Sequence, residues 1–188
     1  MAIEVREVRP DEIPAVVRVH DDAFKGFFLT TLGDRFLEVY YRSVSRHKNG
    51  VLLGFYKERR LSGFCAATRL SRGFNSSLVR ENWRAYAFVA LRLLVGRPGA
   101  IVRLVKNFTK GNPGVKDDGA YGELLSIGVA KEAQGTGAGK NMLRALETRL
   151  RESGVDRLSL TTDYYDNEQA VGFYKSQGYE VMYDFVTY

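Results

Sequence analysis

The chain has 188 residues, is 45% apolar, carries a net charge of +6 and holds one cysteine. That is enough apolar material for one packed domain, and a single cysteine excludes an intrachain disulfide framework. Cys65 lies in the apolar run Ser62-Gly63-Phe64-Cys65-Ala66-Ala67 and reads as a buried structural thiol, since nothing beside it in sequence would lower its pKa. The N-terminus is charged throughout and lacks the apolar stretch of a signal peptide. No apolar run is long enough to span a bilayer, so a cytoplasmic protein is expected. The charge is uneven. Residues 74–118 hold eight basic residues (Arg80, Arg84, Arg92, Arg97, Arg103, Lys106, Lys110, Lys116) against three acidic ones (Glu81, Asp117, Asp118), which is +5 of the total. Such an excess attracts anions, although a solvated helix face would produce it as well.

Residues 2–8 alternate apolar and charged and read as a strand. Pro10-Asp11-Glu12 opens a helix, with Asp11 as its cap and Ile13, Val16, Val17 and His20 on one face. An aromatic loop, Phe24 to Gly33, leads to a second helix over 34–47, whose apolar face is Phe36, Leu37, Tyr40, Tyr41 and Val44. Two strands follow, joined by the polar turn Glu58-Arg59-Arg60, and should pair as a hairpin. Helical periodicity then runs over 77–95 and 99–109, interrupted by Gly96, Pro98 and Gly99, before a loop to residue 120. The last third predicts a strand over 121–130, a glycine-rich turn and a helix over 138–152 with Met142, Leu143, Leu146 and Leu150 on one side. After Gly154 come a strand in 155–162, a short helix ending at Gly178 and a final strand over 179–188. The order predicts an α/β (α+β) layer around one sheet.

The turn Gln134-Gly135-Thr136-Gly137-Ala138-Gly139 sits between a strand and a helix. The first N–H groups of a helix have no intrahelical partner and the dipole favours negative charge there, so such a turn is an anion site. The P-loop pattern fails, because Gly139-Lys140 is followed by Asn141 and Gln134 stands where its first glycine is needed. The dinucleotide pattern G-x-G-x-x-G fails at Lys140.

The pattern that fits, Q-x-x-G-x-G from Gln134, Gly137 and Gly139, resembles motif A of the GCN5-related N-acetyltransferase (GNAT) superfamily. The segment from Asn167 through Ala170 and Phe173-Tyr174 to Gly178-Tyr179 resembles that family's later helix, and the resemblance covers residues 1–70 and 119–188. It implies a mixed, mostly antiparallel sheet flanked by helices; the chain departs from the family pattern in a helical insertion at about 74–118, between the third and fourth strands. It implies an acetyl-CoA-dependent N-acetyltransferase, with acetyl-CoA as cosubstrate and direct transfer to an amine. The cofactor would be held by Gln134, Gly135, Thr136, Gly137, Gly139 and Lys140, by main-chain groups of Ile127 and Val129, and by Asn167, for which a helix cap is the alternative. A main-chain N–H near Val129 would polarise the thioester carbonyl. Tyr174 would donate to the leaving thiolate, and Glu123 would act as base. Core packing is the plain alternative for Tyr174, and solvent exposure for Glu123.

His20 and His47 stand isolated in sequence, with no third ligand at metal spacing, so no metal site is expected. The insertion holds Leu78, Trp83, Tyr86, Phe88, Val89, Leu91, Leu93 and Leu94, too apolar for a free helix. It is expected to wall the acceptor pocket, to form a homodimer contact or to pack on the domain. The expected acceptor is a small-molecule amine, and the arginines suit an anionic one such as a nucleotide-linked amino sugar. A protein or peptide acceptor and a non-catalytic acyl-CoA sensor are the alternative readings. No motif supports nucleic-acid binding.

Overall fold

The computed structural model describes residues 3–96, 118–163 and 167–182, with side chains on α5 described to residue 93. Five strands form one sheet in the order β1 (Ile3–Glu7), β2 (Gly50–Lys57), β3 (Arg60–Thr68), β4 (Gly122–Val129), β5 (Leu158–Leu160). The first three pairings are antiparallel and the last, β4 with β5, is parallel. The β2–β3 hairpin turns on Glu58 and Arg59, both at positive φ (52° and 66°), the conformation a tight hairpin needs to match strand twist.

The helices divide between the two faces of the sheet. On one lie α1 (Ile13–Ala23) and α3 (Asp34–Arg46), joined through the short α2 (Phe28–Thr31), together with α4 (Phe74–Glu81) and α5 (Trp83–Gly96). On the other lies α6 (Ala138–Glu152), with α7 (Glu168–Ser176) against its start. Met142, Leu143, Leu146 and Leu150 of α6 are all buried, as their spacing predicts, each worth about 1.5–3 kcal/mol. Cys65 is buried on this face, and burial pushes its thiol up to about 12, which makes it inert.

Several local expectations are corrected. Asp11 does not cap α1: it is exposed in a one-turn 3-10 helix, Pro10–Glu12, and pairs with Arg9 at 3.6 Å. Glu12 organises the entry, accepting from Arg9 N at 2.9 Å, Tyr56 Oη at 2.8 Å and the Arg6 guanidinium at 2.8 and 2.9 Å. The single helix expected over 77–95 is two, starting at Phe74 and broken at Asn82. Leu78, Tyr86, Val89 and Leu93 pack against Phe36 and Tyr40 of α3, but Trp83, Phe88 and Leu91 are more than half exposed. Helical period explains Phe88 and Leu91, which lie opposite the face shared by 86, 89 and 93; Trp83 is exposed as the first residue of α5. The second half of this segment, residues 97–117, and the end of the expected last strand, residues 183–188, lie outside the described residues; 179–182 carry no strand. No helix among the described residues is long and apolar enough to cross a membrane.

Candidate active site

Two irregularities of β4 shape the site. First, β5 pairs with β4 only at Gly122–Leu124, and from Leu125 onward that edge of β4 has no β5 partner. Second, β4 carries a bulge. Ala66 pairs with Ser126 and Ala67 with Leu124, so Leu125 is an extra residue. Side chains alternate along a strand, and one extra residue flips every later position to the other face. Leu124 therefore faces α6, Leu125 and Ser126 face α3, and Ile127 and Val129 face α6.

The same alternation orients the main chain. Ala130 N donates to Ser62 O on β3 at 2.9 Å. Peptide groups one residue away point the opposite way, so those of Val129 and Ile127 face the gap left by β5. These are the two residues expected to offer main-chain groups to a cofactor arm.

The glycine turn starts one 3-10 turn beyond Val129, at Lys131–Ala133. Gln134 folds back, its Nε2 donating to Val129 O at 3.2 Å. Thr136 Oγ1 donates to Ala133 O at 2.6 Å. Gly135 (φ 73°) and Gly137 (φ 82°) adopt left-handed conformations with open space where a Cβ would stand. Gly137 is the N-cap of α6, and no side chain caps the helix. Its first N–H groups thus face outward beside exposed Lys140, an arrangement that attracts phosphate. Gly139 packs 3.4 Å from the Phe173 ring, measured from where a Cβ would stand.

Tyr174 lies with Ile127, Val129 and Cys65 in the cluster on the α6 side. Burial pushes its phenol up to about 12. It is therefore protonated near neutral pH and able to donate a hydrogen bond. Full transfer of its proton to a thiolate, whose ordinary pKa is about 8.5, is uphill. Asn167 occupies the N-cap position of α7 without capping it; its Nδ2 donates to Thr162 Oγ1 at 2.8 Å.

Glu123 stands apart from these groups. It pairs in register with Thr68 and Ser159, and its Oε2 accepts from Ser71 Oγ at 2.6 Å. Its partner Thr68 stands three residues along β3 from Cys65, the partner of Ile127, so at about 3.3 Å per residue Glu123 lies roughly 10 Å along the sheet from Ile127.

Neither histidine is isolated in space. His47 accepts from Asn49 N at 3.1 Å and its Nε2 lies 2.9 Å from Ser77 Oγ and 3.5 Å from Glu81, joining α4 to the end of α3. His20 is buried, its Nδ1 2.6 Å from Tyr41 Oη, which in turn lies 3.2 Å from Ser126 Oγ. Partners 21 and 85 residues away leave no signal in sequence spacing. Among the described residues, no three His, Cys, Asp or Glu side chains converge on a metal-sized site.

At the far end of β4, α1 closes over the strand. Asp22 Oδ2 accepts from Lys131 N at 3.1 Å. A Cβ on Gly128 would come within 2.8 Å of Phe64 and 3.0 Å of Phe24.

A sheet whose fourth and fifth strands part beside a glycine-rich helix N-terminus is an acetyltransferase fold. The chain belongs to the acetyltransferase (GNAT) family, whose profile matches residues 14–179. Members of that family take acetyl-CoA as cosubstrate. Mycothiol acetyltransferase of Kocuria rhizophila is 36% identical over 74 residues, 39% of this chain and 24% of that protein. Its counterpart in Pseudarthrobacter chlorophenolicus is 32% identical over 119 residues, 61% of this chain and 35% of that protein. The chain thus spans about a quarter to a third of the length of these relatives. Among solved structures, aminoglycoside 6'-N-acetyltransferase AAC(6')-Ih of Acinetobacter baumannii superposes with a TM-score of 0.65 at 9% identity, over 100% of this chain and 97% of that one. AAC(6')-Iy in complex with CoA gives 0.68 at 10% identity, over 100% and 93%. Identities this low carry the fold and not the acceptor.

Proposed function

We propose that this chain transfers the acetyl group of acetyl-CoA directly to a primary amine of a small molecule. The observation that carries the reading is the juxtaposition of two features. The main-chain groups of Ile127 and Val129 face the gap beside β5, and a glycine turn with an uncapped helix N-terminus follows within one 3-10 turn. The turn 134–139, with Lys140, would take the pyrophosphate. Ile127 and Val129 would pair with the arm, and the Val129 N–H would polarise the thioester carbonyl. Asn167, held by Thr162 rather than spent on the helix cap, would hydrogen-bond the arm. Tyr174 would donate a hydrogen bond to the departing thiolate. Glu123 would serve as base, through water.

An amino sugar is the proposed acceptor class. Its support is the excess of basic residues over 74–118, eight against three acidic, which suits an anionic acceptor such as a nucleotide-linked amino sugar. Residues Phe24 to Leu32 and α5 would wall the acceptor side. Phe24 lies over Gly128. His47 at the end of α3 meets Phe74 of α4, and Phe36 near its start meets Tyr86 of α5, so the chain reaches that end of α3 by residue 86.

Thermal stabilisation by acetyl-CoA tests the cofactor half, because a ligand bound only to the native state raises its stability. A melting temperature unmoved by millimolar acetyl-CoA sinks the proposal. Release of free thiol with a panel of amines then separates an enzyme from a sensor.

A further inference from the structure

A transferase must also hold the amine beside the thioester, and the Glu123 carboxylate is three β3 positions back from Ile127 and bonded to Ser71 Oγ at 2.6 Å. This inference rests on the function proposed above. The bulge at Leu125 turns Ser126 toward α3, next to Ile127, whose peptide groups face the cofactor gap. Beyond it on that face Gly128 has no side chain, and Phe24, Phe64 and Ala23 fill the space. Ser126 is therefore the last polar side chain of β4 on the α3 side.

Behind it lies a chain of polar groups: Ser126 Oγ, Tyr41 Oη and His20 Nδ1, with successive separations of 3.2 and 2.6 Å. Tyr41 and His20 are buried, and Ser126 is only half-buried. The hydroxyl directions follow from counting protons. His20 Nδ1 and the Tyr41 hydroxyl lie 2.6 Å apart, and with Tyr41 as the donor its proton goes to His20 Nδ1. Tyr41 has no second proton, and its contact with Ser126 exists only if Ser126 donates. The Ser126 lone pairs are then not spent on Tyr41. We propose that Ser126 Oγ accepts an N–H of the acceptor amine, and that Tyr41 and His20 are positioning residues that fix the direction of the Ser126 hydroxyl.

The chain orients and does not carry a proton away. Burial holds the His20 imidazole down to about 4, so it is neutral near neutral pH and a poor resting place for the amine proton. That assignment puts the remaining imidazole proton on Nε2, which has no partner among the described residues. A buried polar atom left unpaired is a cost that an apolar residue would avoid, which a purely structural tie between α1, α3 and β4 does not explain.

The test has two arms. In ¹⁵N NMR of the full chain, His20 is expected in the Nε2–H tautomer; the Nδ1–H tautomer overturns the proposal, whatever the acceptor. In free-thiol assays with glucosamine and neamine as probes, Ser126→Ala is expected to lower kcat/KM for the amine about tenfold, the worth of one hydrogen bond. KM for acetyl-CoA should stay within about twofold, and Ser126→Thr, which keeps the hydroxyl, should retain most activity. Tyr41→Phe should fall between wild type and Ser126→Ala. An unchanged amine kcat/KM in Ser126→Ala, or equal losses in the Thr and Ala variants, overturns the assignment. Failure of the wild type to be stabilised by acetyl-CoA would overturn the proposed function, and is read separately from the tautomer.

Discussion

On the α6 side of β4, the groups that face the cofactor gap are mostly main chain. Peptide groups of Ile127 and Val129, the N-terminus of α6 and two left-handed glycines need little from side chains except room. On the α3 side, the polar groups are side chains from three separate elements, buried His20 on α1, buried Tyr41 on α3 and half-buried Ser126 on β4, held in one line. The difference teaches that one half of the site is built by local backbone geometry and the other by long-range packing. Changes on the first side should act on cofactor binding. Changes on the second should act on stability, pH dependence and the acceptor.

Four predictions test that division, the largest effect first. Gly137→Val should abolish the acetyl-CoA-induced rise in melting temperature. A β-branched side chain at φ 82° is strained, and it would stand where phosphate must approach the helix N-terminus. Retained stabilisation would show that the anion does not sit at this turn.

The His20 imidazole, held down to about 4 from an ordinary 6.5, gives the second. Between those values the unfolded chain binds a proton that the folded chain refuses, so stability is full above pH 6.5 and falls as pH drops toward 4. The loss by pH 4.5 should be about 2–3 kcal/mol, and His20→Gln should flatten it in urea titrations. An unaltered slope in that variant would mean that the α3 side is not the pH-sensitive one.

Third, Tyr174→Phe should lower kcat about ten- to a hundredfold while leaving acetyl-CoA stabilisation in place, because the hydroxyl acts on the departing thiolate. Equal turnover would reduce Tyr174 to the core aromatic that Phe173 already is. Smallest, Trp83→Ser should change stability by no more than about 0.5 kcal/mol, since Trp83 is exposed and touches Arg84. A large loss in denaturant melts would show that this face of α5 is covered.

The amphipathic helices were readable because their periods are local: Phe36, Leu37, Tyr40, Tyr41 and Val44 form the buried face of α3, and the four apolar positions of α6 behave likewise. The glycine turn was readable because three residue types at short spacing specify it. The helix break at Asn82 and the exposure of Trp83, Phe88 and Leu91 were not, since periodicity says which residues share a face but not which face meets a neighbour. Asp11 was a reasonable cap by residue type, yet Glu12 won the position because Arg6 and Tyr56 reach it across the sheet.

By itself the sequence determined the family, the strands β1 to β5, the helices α1, α3, α6 and α7, and the glycine-rich turn between β4 and α6, all of which show in local patterns. The bulge at Leu125, the parting of β4 from β5 and the line from His20 through Tyr41 to Ser126 were decided only by tertiary structure. A run such as Leu124-Leu125-Ser126-Ile127 does not say which residue will be the extra one. That depends on how β3 and the helices on either side compete for its side chains, and the outcome decides which face Ser126 occupies.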